Sequence, residues 1–367
     1  MNSYIGSARG SQRFFGSALG RTVWRMPFAF QVAKLAGPPY TLRCLLFHDI
    51  SDKTSVFTKG LNVTIGREDF ESRIHFVTEN YDLMGLQEFI DAFGHKLLPA
   101  RPALVTFDDA YASVALNAAP VLHRYKIPAV FFVISSLVGN TDLGLDNLIC
   151  YVANTDGFKA VQAAAQEALH RDGLELNSLD QVFDRILPFT SLEGLQRFRH
   201  ALESAAKVCS ADLARETQLY VSSDQLNSLA SDGFEIGNHT LSHVYCRSMV
   251  GDEFNQQIDA CKTNLESLTR KKVRAFSVPY GSPLDLTKDL TNHLRESGHE
   301  VVFLARNRSN TPTTGLHCLN RIDVHAGSDG DTFGEIEILP RLRTLADRIL
   351  GRNVQIRRVV TRRAKAG

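Results

Sequence analysis

From residue 42 onwards, short apolar runs alternate with longer segments in which apolar residues recur at helical spacing. The short runs predict buried strands, and they are Leu42–Phe47, Ala103–Phe107, Ala129–Ile134, Phe234–Ile236, Ala275–Val278 and Val301–Leu304. The longer segments predict helices, and they are Glu68–Glu79, Leu86–Ala92, Val114–Tyr125, Ser223–Ser231, Phe254–Leu268 and Leu284–Glu296. This alternation predicts an α/β fold with a parallel sheet and helices outside it. Periodicity alone fits an open sheet and a barrel equally well.

One segment interrupts the alternation. Between residues 142 and 219 the pattern is helical, as in FKAVQAAAQEALHRDG and LEGLQRFRHALESAAK, and it contains no strong strand signal. We interpret residues 142–219 as a helical insertion that forms a cap or a wall beside the site. Its alanine-rich helices are typical of packing elements.

Composition and charge indicate which kinds of binding partner to expect. The 367 residues are 44% hydrophobic and 22% charged, and the net charge of +1 gives no electrostatic footprint for nucleic acid. Residues 1–40 are interrupted throughout by arginine and contain no apolar run typical of a signal peptide. We interpret them as a disordered or surface-associated leader, residues 41–330 as the main domain, and residues 331–367 as a basic C-terminal helix or tail. The arginine-rich ends favour peripheral association with an anionic membrane.

The pattern of cysteines favours a reducing compartment. All six are scattered, without a C-x-x-C pair, so neither a zinc ribbon nor a redox dithiol is indicated. Reduced thiols are expected in a chain of this size. Together with the leader, this predicts a cytoplasmic, membrane-associated location.

Chemistry-bearing residues follow four of the predicted strands. The stretch GFEIGNHTLSH ends in His239 and His243, four positions apart, and LVTFDDAYAS carries Asp108 and Asp109. The other two are the stiff turn of FSVPYGSP and the histidine of LLFHDIS, His48. Because ligands of parallel α/β sheets gather at the carboxyl ends of strands, we expect these residues to meet. Histidine pairs at this spacing can share one metal ion.

These motifs resemble those of the polysaccharide deacetylases, the NodB-homology proteins of carbohydrate esterase family 4. The resemblance rests on TFDD at 106–109, H-x-x-x-H at 239–243 and PYG at 279–281, and it covers roughly residues 42–325 without the insertion. It implies a deformed (β/α) barrel with fewer than eight strands. It also implies a divalent metal on Asp109, His239 and His243, with Asp108 as general base. Zinc is expected, and Ni²⁺, Co²⁺ or Fe²⁺ would suit the same ligands.

Two further roles follow from the resemblance. His48 matches a subgroup whose catalytic histidine precedes the TFDD motif, so we assign it as the general acid, with His317 and His325 as alternatives. The backbone N–H of Tyr280 is assigned to the oxyanion. The sequence also departs from the family, because Ser277 stands where many members have an arginine that orients the base. Arg321 is a candidate substitute.

The implied reaction is metal-dependent hydrolysis of an N-acetyl group on an amino sugar in a polysaccharide, an oligosaccharide or a lipid-linked glycan. Two alternatives remain open at the sequence level. The chain could hydrolyse another amide or imide bond on a small molecule, over which the insertion would close. It could also be a non-catalytic, metal-dependent glycan-binding module.

Overall fold

The computed structural model describes residues 19–25, 41–95, 97–170, 173–311 and 314–349. The strands are β1 Arg43–Phe47, β2 Asp49–Ile50, β3 Thr64–Ile65, β4 Asp82–Leu83, β5 Pro102–Phe107, β6 Ala129–Val133, β7 Glu235–Asn238, β8 Ala275–Ser277, β9 Val301–Leu304, β10 Leu319–Asn320 and β11 Ile322–Asp323. The main helices are α1 Arg67–Asn80, α2 Leu86–His95, α3 Ala119–Tyr125, α4 Leu145–Thr155, α5 Phe158–Leu169, α6 Leu192–Ala206, α7 Ser210–Thr217, α8 Ser223–Ser231, α9 Ala260–Thr269, α10 Lys288–Glu296, α11 Asp329–Phe333 and α12 Leu339–Ile349.

A parallel sheet closes almost completely into a barrel. Its order is β10-β9-β8-β7-β6-β5-β1-β11, with β4 paired to the start of β5. β10 pairs with β9 and β11 pairs with β1, and Arg321 alone separates β10 from β11. One extended segment, 319–323, therefore joins the two ends of the sheet. The expected deformed (β/α) barrel is confirmed, although the sequence pattern gave no signal for this last strand.

Alternation along β5 sets the direction of Thr106 and Asp108. The ring of Phe107 packs against Phe70 of α1, with centroids 5.8 Å apart, so Phe107 faces the helical layer. Because successive side chains of a strand point to opposite faces, Thr106 and Asp108 point into the barrel. The hydroxyl of Thr106 bonds the Leu45 carbonyl of the neighbouring strand at 2.7 Å.

The insertion forms a compact helical unit. In the described part of 142–219, α4 to α7 and short helical turns bury their own apolar faces, and no strand is present. Val161 of α5 and Phe198 of α6 are fully buried there. The insertion is not packed independently, because the same apolar cluster includes Phe276 of β8 and Val302 of β9.

The predicted helices Val114–Tyr125 and Phe254–Leu268 begin with π-helical turns, Val114–Ala118 and Asn255–Asp259, that precede α3 and α9. Two other predicted boundaries differ from the structure. The helix predicted from Leu284 begins instead at Lys288, because the Thr287 side chain accepts a hydrogen bond from the backbone N–H of Leu290 and caps it. Residues 331–338, assigned by sequence to the C-terminal tail, pack into the main core through Phe333 and Ile336.

Most of the leader, with 350–367 of the tail, lies outside the described residues. Residues 19–24 form a short helix whose Trp24 ring packs 5.5 Å from both Phe76 and Phe333. That part of the leader is docked on the domain. No helix in the described ranges combines the length and apolarity needed to cross a bilayer.

Candidate active site

Strained backbone marks the strand ends where the predicted residues meet. Asp109, His243 and Tyr280 have φ angles of 68°, 54° and 60°, in the left-handed region that non-glycine residues rarely occupy. Each such residue costs on the order of 1–3 kcal/mol and persists only where its surroundings fix it. The three lie after β5, β7 and β8, which places all of them at the same edge of the barrel.

Asp109, His239 and His243 converge on one point. Asp109 Oδ1 lies 3.5 Å from His239 Nε2 and 3.6 Å from His243 Nε2, and the ligand atoms of all three residues fall within 4.8 Å of one another. Asp109 Oδ1 is buried without a hydrogen-bond partner. A buried carboxylate oxygen in that state is costly unless a cation or a donor satisfies it.

The second ring nitrogens fix how the two histidines face this oxygen. His239 Nδ1 lies 2.8 Å from the Ser277 carbonyl oxygen, and His243 Nδ1 lies 2.8 Å from Asp146 Oδ2. Both acceptors require a proton on Nδ1, so Nε2 is the ring atom that faces Asp109 and that a metal ion would bind after displacing any proton there. This tautomer is the one that a metal ligand needs.

The cluster fits a divalent metal ion. Two ligand atoms on one tetrahedral ion at a distance of about 2 Å lie about 3.4 Å from each other, close to the Nε2–Oδ1 separations. Two imidazoles and one carboxylate leave coordination positions open, as a catalytic site requires. The same donor set suits several transition metals and does not select among them.

Protonation of the cluster follows from its charges. Burial raises the pKa of Asp109, but the proximity of His239 and His243, with the charge of His48, outweighs it and holds the pKa well below the usual range. Burial lowers the pKa of His243, whereas the carboxylate of Asp146 and then that of Asp109 raise it to about 9. The carboxylates therefore keep this pocket attractive to cations.

Asp108 is held mainly by Arg321, and His239 Nε2 lies 3.6 Å from its Oδ2. The guanidinium donates from Nη1 to Oδ1 and from Nη2 to Oδ2, both at 2.6 Å, and the Ser277 hydroxyl adds a bond of 3.1 Å to Oδ2. Burial raises the pKa of Asp108, but the charge of Arg321 outweighs it and lowers the pKa below its usual value. Asp108 is therefore a carboxylate at neutral pH, oriented by a bidentate contact.

His48 lies beside these carboxylates at the end of β1. The preceding residue, Phe47, accepts a hydrogen bond of 3.0 Å from the backbone N–H of Asp108, and the His48 side chain is half-buried. Burial and other nearby groups have larger effects on the pKa of Asp108 and Asp109, and positive charge on His48 also lowers both pKa values. The structure thus brings His48 within electrostatic reach of both.

The two alternative histidines have other surroundings. His317 precedes β10 and its Nε2 lies 3.1 Å from the His299 carbonyl oxygen, before β9 begins, so it sits at the opposite end of the barrel. His325 lies between Asp323 at 3.3 Å and Glu335 at 3.5 Å. Burial lowers its pKa, but these two carboxylates raise it to about 10.

Tyr280 and Asp146 complete the site. The Tyr280 ring stacks on Tyr245 with centroids 3.6 Å apart, and its hydroxyl donates to Asp146 Oδ1 at 2.7 Å. Sequence reasoning missed Asp146, which lies in the first turn of α4 inside the insertion. Aspartate is common in the first turn of a helix, so the sequence gave no signal that this aspartate belongs to the site.

Comparison with known proteins places these motifs in a family. The profile described as polysaccharide deacetylase matches residues 96–302, which is more than half of the chain. The chain belongs to the polysaccharide deacetylase family. TFDD, H-x-x-x-H and the PYG turn all lie inside the matched region.

Curated members of the family share shorter segments with the chain. The poly-beta-1,6-N-acetyl-D-glucosamine N-deacetylase of Staphylococcus epidermidis is 32% identical over 89 residues, which is 24% of this chain and 31% of that protein. The Staphylococcus aureus protein of the same name is 33% identical over 79 residues, 21% of this chain and 27% of that protein. The chain therefore spans about a third or less of these relatives.

Solved deacetylases share the fold. A Streptococcus pyogenes deacetylase in complex with acetate aligns over 82% of this chain and 100% of its own, with a TM-score of 0.55 and 15% identity. A putative polysaccharide deacetylase from Bacillus anthracis aligns over 82% and 69%, with a TM-score of 0.52 and 14% identity. These similarities establish the barrel architecture of the family.

Proposed function

We propose that the chain is a metal-dependent hydrolase that removes N-acetyl groups from an N-acetylated amino-sugar polymer. The observation that carries the proposal is the partnerless Asp109 Oδ1, which faces two histidine Nε2 atoms beside the anchored carboxylate of Asp108. A metal site and a separate carboxylate would supply the Lewis acid and the general base with which a metallohydrolase cleaves an amide at neutral pH.

Asp109, His239 and His243 would hold the divalent ion. Zn²⁺ is our first choice, because it accepts two imidazoles and a carboxylate while leaving positions open. Such an ion supplies Lewis acidity toward the acetyl carbonyl and lowers the pKa of water. Ni²⁺, Co²⁺ and Fe²⁺ are the alternatives for the same ligands.

Asp108 is the proposed general base. Its carboxylate is ionised, buried and oriented by Arg321, so it can accept a proton from a water that attacks the acetyl carbon. The bidentate contact prevents the side chain from turning away. Asp109 Oδ1 faces the Nε2 atoms of both histidines, so in this proposal Asp109 binds the metal and Asp108 is the base.

His48 and Tyr280 act at the leaving group and the oxyanion in this proposal. A glucosamine amine departs too slowly without a proton, and half-buried His48, on the neighbouring strand to Asp108, is placed to donate one. The backbone N–H of Tyr280 is the proposed donor to the developing oxyanion. The stack on Tyr245 and the bond to Asp146 fix this turn.

The substrate class rests on the family and on the names of the relatives. The staphylococcal proteins are described as poly-beta-1,6-N-acetyl-D-glucosamine deacetylases, so a polymer of N-acetylglucosamine is our first candidate. A small amide or imide substrate stays the second candidate, since the insertion reaches the site through Asp146. The cytoplasmic location and the association with an anionic membrane stay predictions.

Acetate release tests the proposal. We would reconstitute the protein with Zn²⁺, incubate it with N-acetylglucosamine oligomers and measure free acetate, beside Asp109→Ala treated identically. Acetate from the parent and none from the variant is the expected result. No acetate from a parent that binds Zn²⁺ would reject the glycan substrate and favour the small-amide candidate or a glycan-binding module.

A further inference from the structure

One carboxylate of the helical insertion contacts two of the strand-end loops. Asp146 Oδ2 accepts a hydrogen bond of 2.8 Å from His243 Nδ1, and Oδ1 accepts one of 2.7 Å from the Tyr280 hydroxyl. His243 follows β7 and Tyr280 follows β8. Both oxygens of Asp146 are therefore engaged, and each holds a different part of the site.

The neighbouring residue fastens the same helical turn to a third loop. Asn147 Nδ2 donates to the Tyr111 hydroxyl and to the Phe57 carbonyl, both at 3.0 Å, and Tyr111 follows Asp109 by two positions. The Tyr220 hydroxyl donates to Asn147 Oδ1 and accepts from the Gly144 backbone N–H at 2.9 Å. The start of α4 is therefore fixed on both sides.

We infer that Asp146 is a positioning residue of the metal centre, so that the insertion helps to orient a ligand of the metal. The inference rests on the proposed function, because it concerns the ligands of the same metal. A carboxylate on Nδ1–H fixes the rotation and tautomer of an imidazole ligand and makes its Nε2 a stronger donor. His243 owes its orientation to a group 97 residues away in the chain.

The two histidine ligands are supported differently. His239 is oriented by a neutral acceptor, the Ser277 carbonyl on β8 of the barrel. His243 is oriented by a charged acceptor on the insertion. The barrel alone therefore prepares His239, whereas His243 is prepared only when α4 is docked. Loss of the Asp146 charge acts on the metal through His243.

Zn²⁺ affinity of the full-length protein tests the inference. Asp146→Asn is nearly isosteric, but its amide group cannot accept hydrogen bonds at both positions, so the expected Zn²⁺ affinity is about 10–100-fold lower. The measurement is chelator competition at fixed pH, with circular dichroism to verify folding. Asp142→Asn is the matched control, since Asp142 lies in the same insertion and pairs with Arg199 at 3.2 Å.

Two further variants separate positioning from general stability. Tyr280→Phe removes one partner of Asp146 but leaves the His243 contact, so Zn²⁺ affinity should stay within about 2-fold of the parent. Asp146→Glu keeps a carboxylate and should bind Zn²⁺ more tightly than Asp146→Asn. If Asp146→Asn does not fold, Asp146→Glu becomes the test. Its Zn²⁺ affinity is then expected to lie between that of the parent and that of His243→Ala.

The outcomes are distinct. The inference would be overturned if Asp146→Asn bound Zn²⁺ as tightly as the parent. It would also be overturned if Asp146→Glu bound Zn²⁺ no more tightly than His243→Ala. Equal loss in Asp142→Asn would also overturn it, because the effect would then belong to the insertion in general. A parent that binds Zn²⁺ but releases no acetate would reject the proposed substrate while leaving the role of Asp146 intact. A parent that binds no Zn²⁺ would reject both.

Discussion

Arg321 donates two hydrogen bonds of 2.6 Å to Asp108, one to each carboxylate oxygen. The same guanidinium donates a third bond, of 2.7 Å, to the Ser277 hydroxyl. Ser277 stands at the position where many family members carry the orienting arginine. In this chain a serine on β8 and an arginine between β10 and β11 share that task, and the arginine arrives from a different strand.

Loss of Arg321 should destabilise the fold. Arg321→Met leaves Asp108 as a buried carboxylate without its counter-ion, which costs about 3–5 kcal/mol of unfolding free energy. The double variant Asp108→Asn with Arg321→Met removes both charges and should recover part of that loss. Urea unfolding of the four proteins in the cycle measures the coupling. Additive losses would contradict a direct pair.

Asp108→Asn should separate catalysis from metal binding. The amide cannot accept the proton of the attacking water, so acetate release should fall by about 10²–10⁴-fold. Asp109, His239 and His243 are unchanged in this variant, so Zn²⁺ affinity should stay within a few-fold of the parent. Near-normal turnover would show that another group is the base.

The three histidine candidates can be ranked directly. His48→Gln should lower acetate release by about 10²–10⁴-fold, because the leaving amine would depart without a proton donor. His317→Gln is the matched control and should retain parental activity, since His317 sits at the opposite end of the barrel. A larger loss in His325→Gln than in His48→Gln would transfer the acid role to His325.

Acid should destabilise the protein through His299. Burial lowers the pKa of this histidine from 6.5 to about 3, with the charge of Lys262 acting in the same direction, and its Nε2 lies 3.2 Å from Asn238 Nδ2. Between those values the unfolded chain binds a proton that the folded chain does not, so stability falls as the pH drops below 6.5. The loss reaches at most about 1.4 kcal/mol for each pH unit.

His299→Gln isolates this effect. Its side-chain oxygen can still accept from Asn238, but it does not titrate, so the variant should lose less stability than the parent between about pH 7.5 and about pH 5. Urea unfolding at the two pH values gives the difference. Equal losses in parent and variant would show that His299 is not held neutral.

The sequence was sufficient for the parts of the site that lie next to strands. Asp109, His239 and His243 follow recognisable apolar runs, and parallel strands bring their ends together whatever the loops do. The structure brings the three side chains together, as the geometry of parallel strands predicts. Arg321 was found as a candidate because the motif lacked its usual arginine, and the structure shows the contact.

Other parts could not be read from the chain. The closing strand 319–323 is divided between two neighbours, so neither half is long enough to produce a periodic signal. Asp146 acts across 97 residues of sequence, and its local pattern matches any aspartate at the start of a helix. Both depend on tertiary contacts that local patterns do not encode.

The late position of Arg321 in the chain makes its ion pair with Asp108 a late step of folding. Asp108 leaves the ribosome 213 residues before Arg321, and in that interval the guanidinium that contacts both of its oxygens is absent. Burial of an unpaired charge is strongly unfavourable, so the barrel mouth should stay open and hydrated until the final strand is made. Closure of the barrel and formation of the Asp108–Arg321 ion pair then become one event.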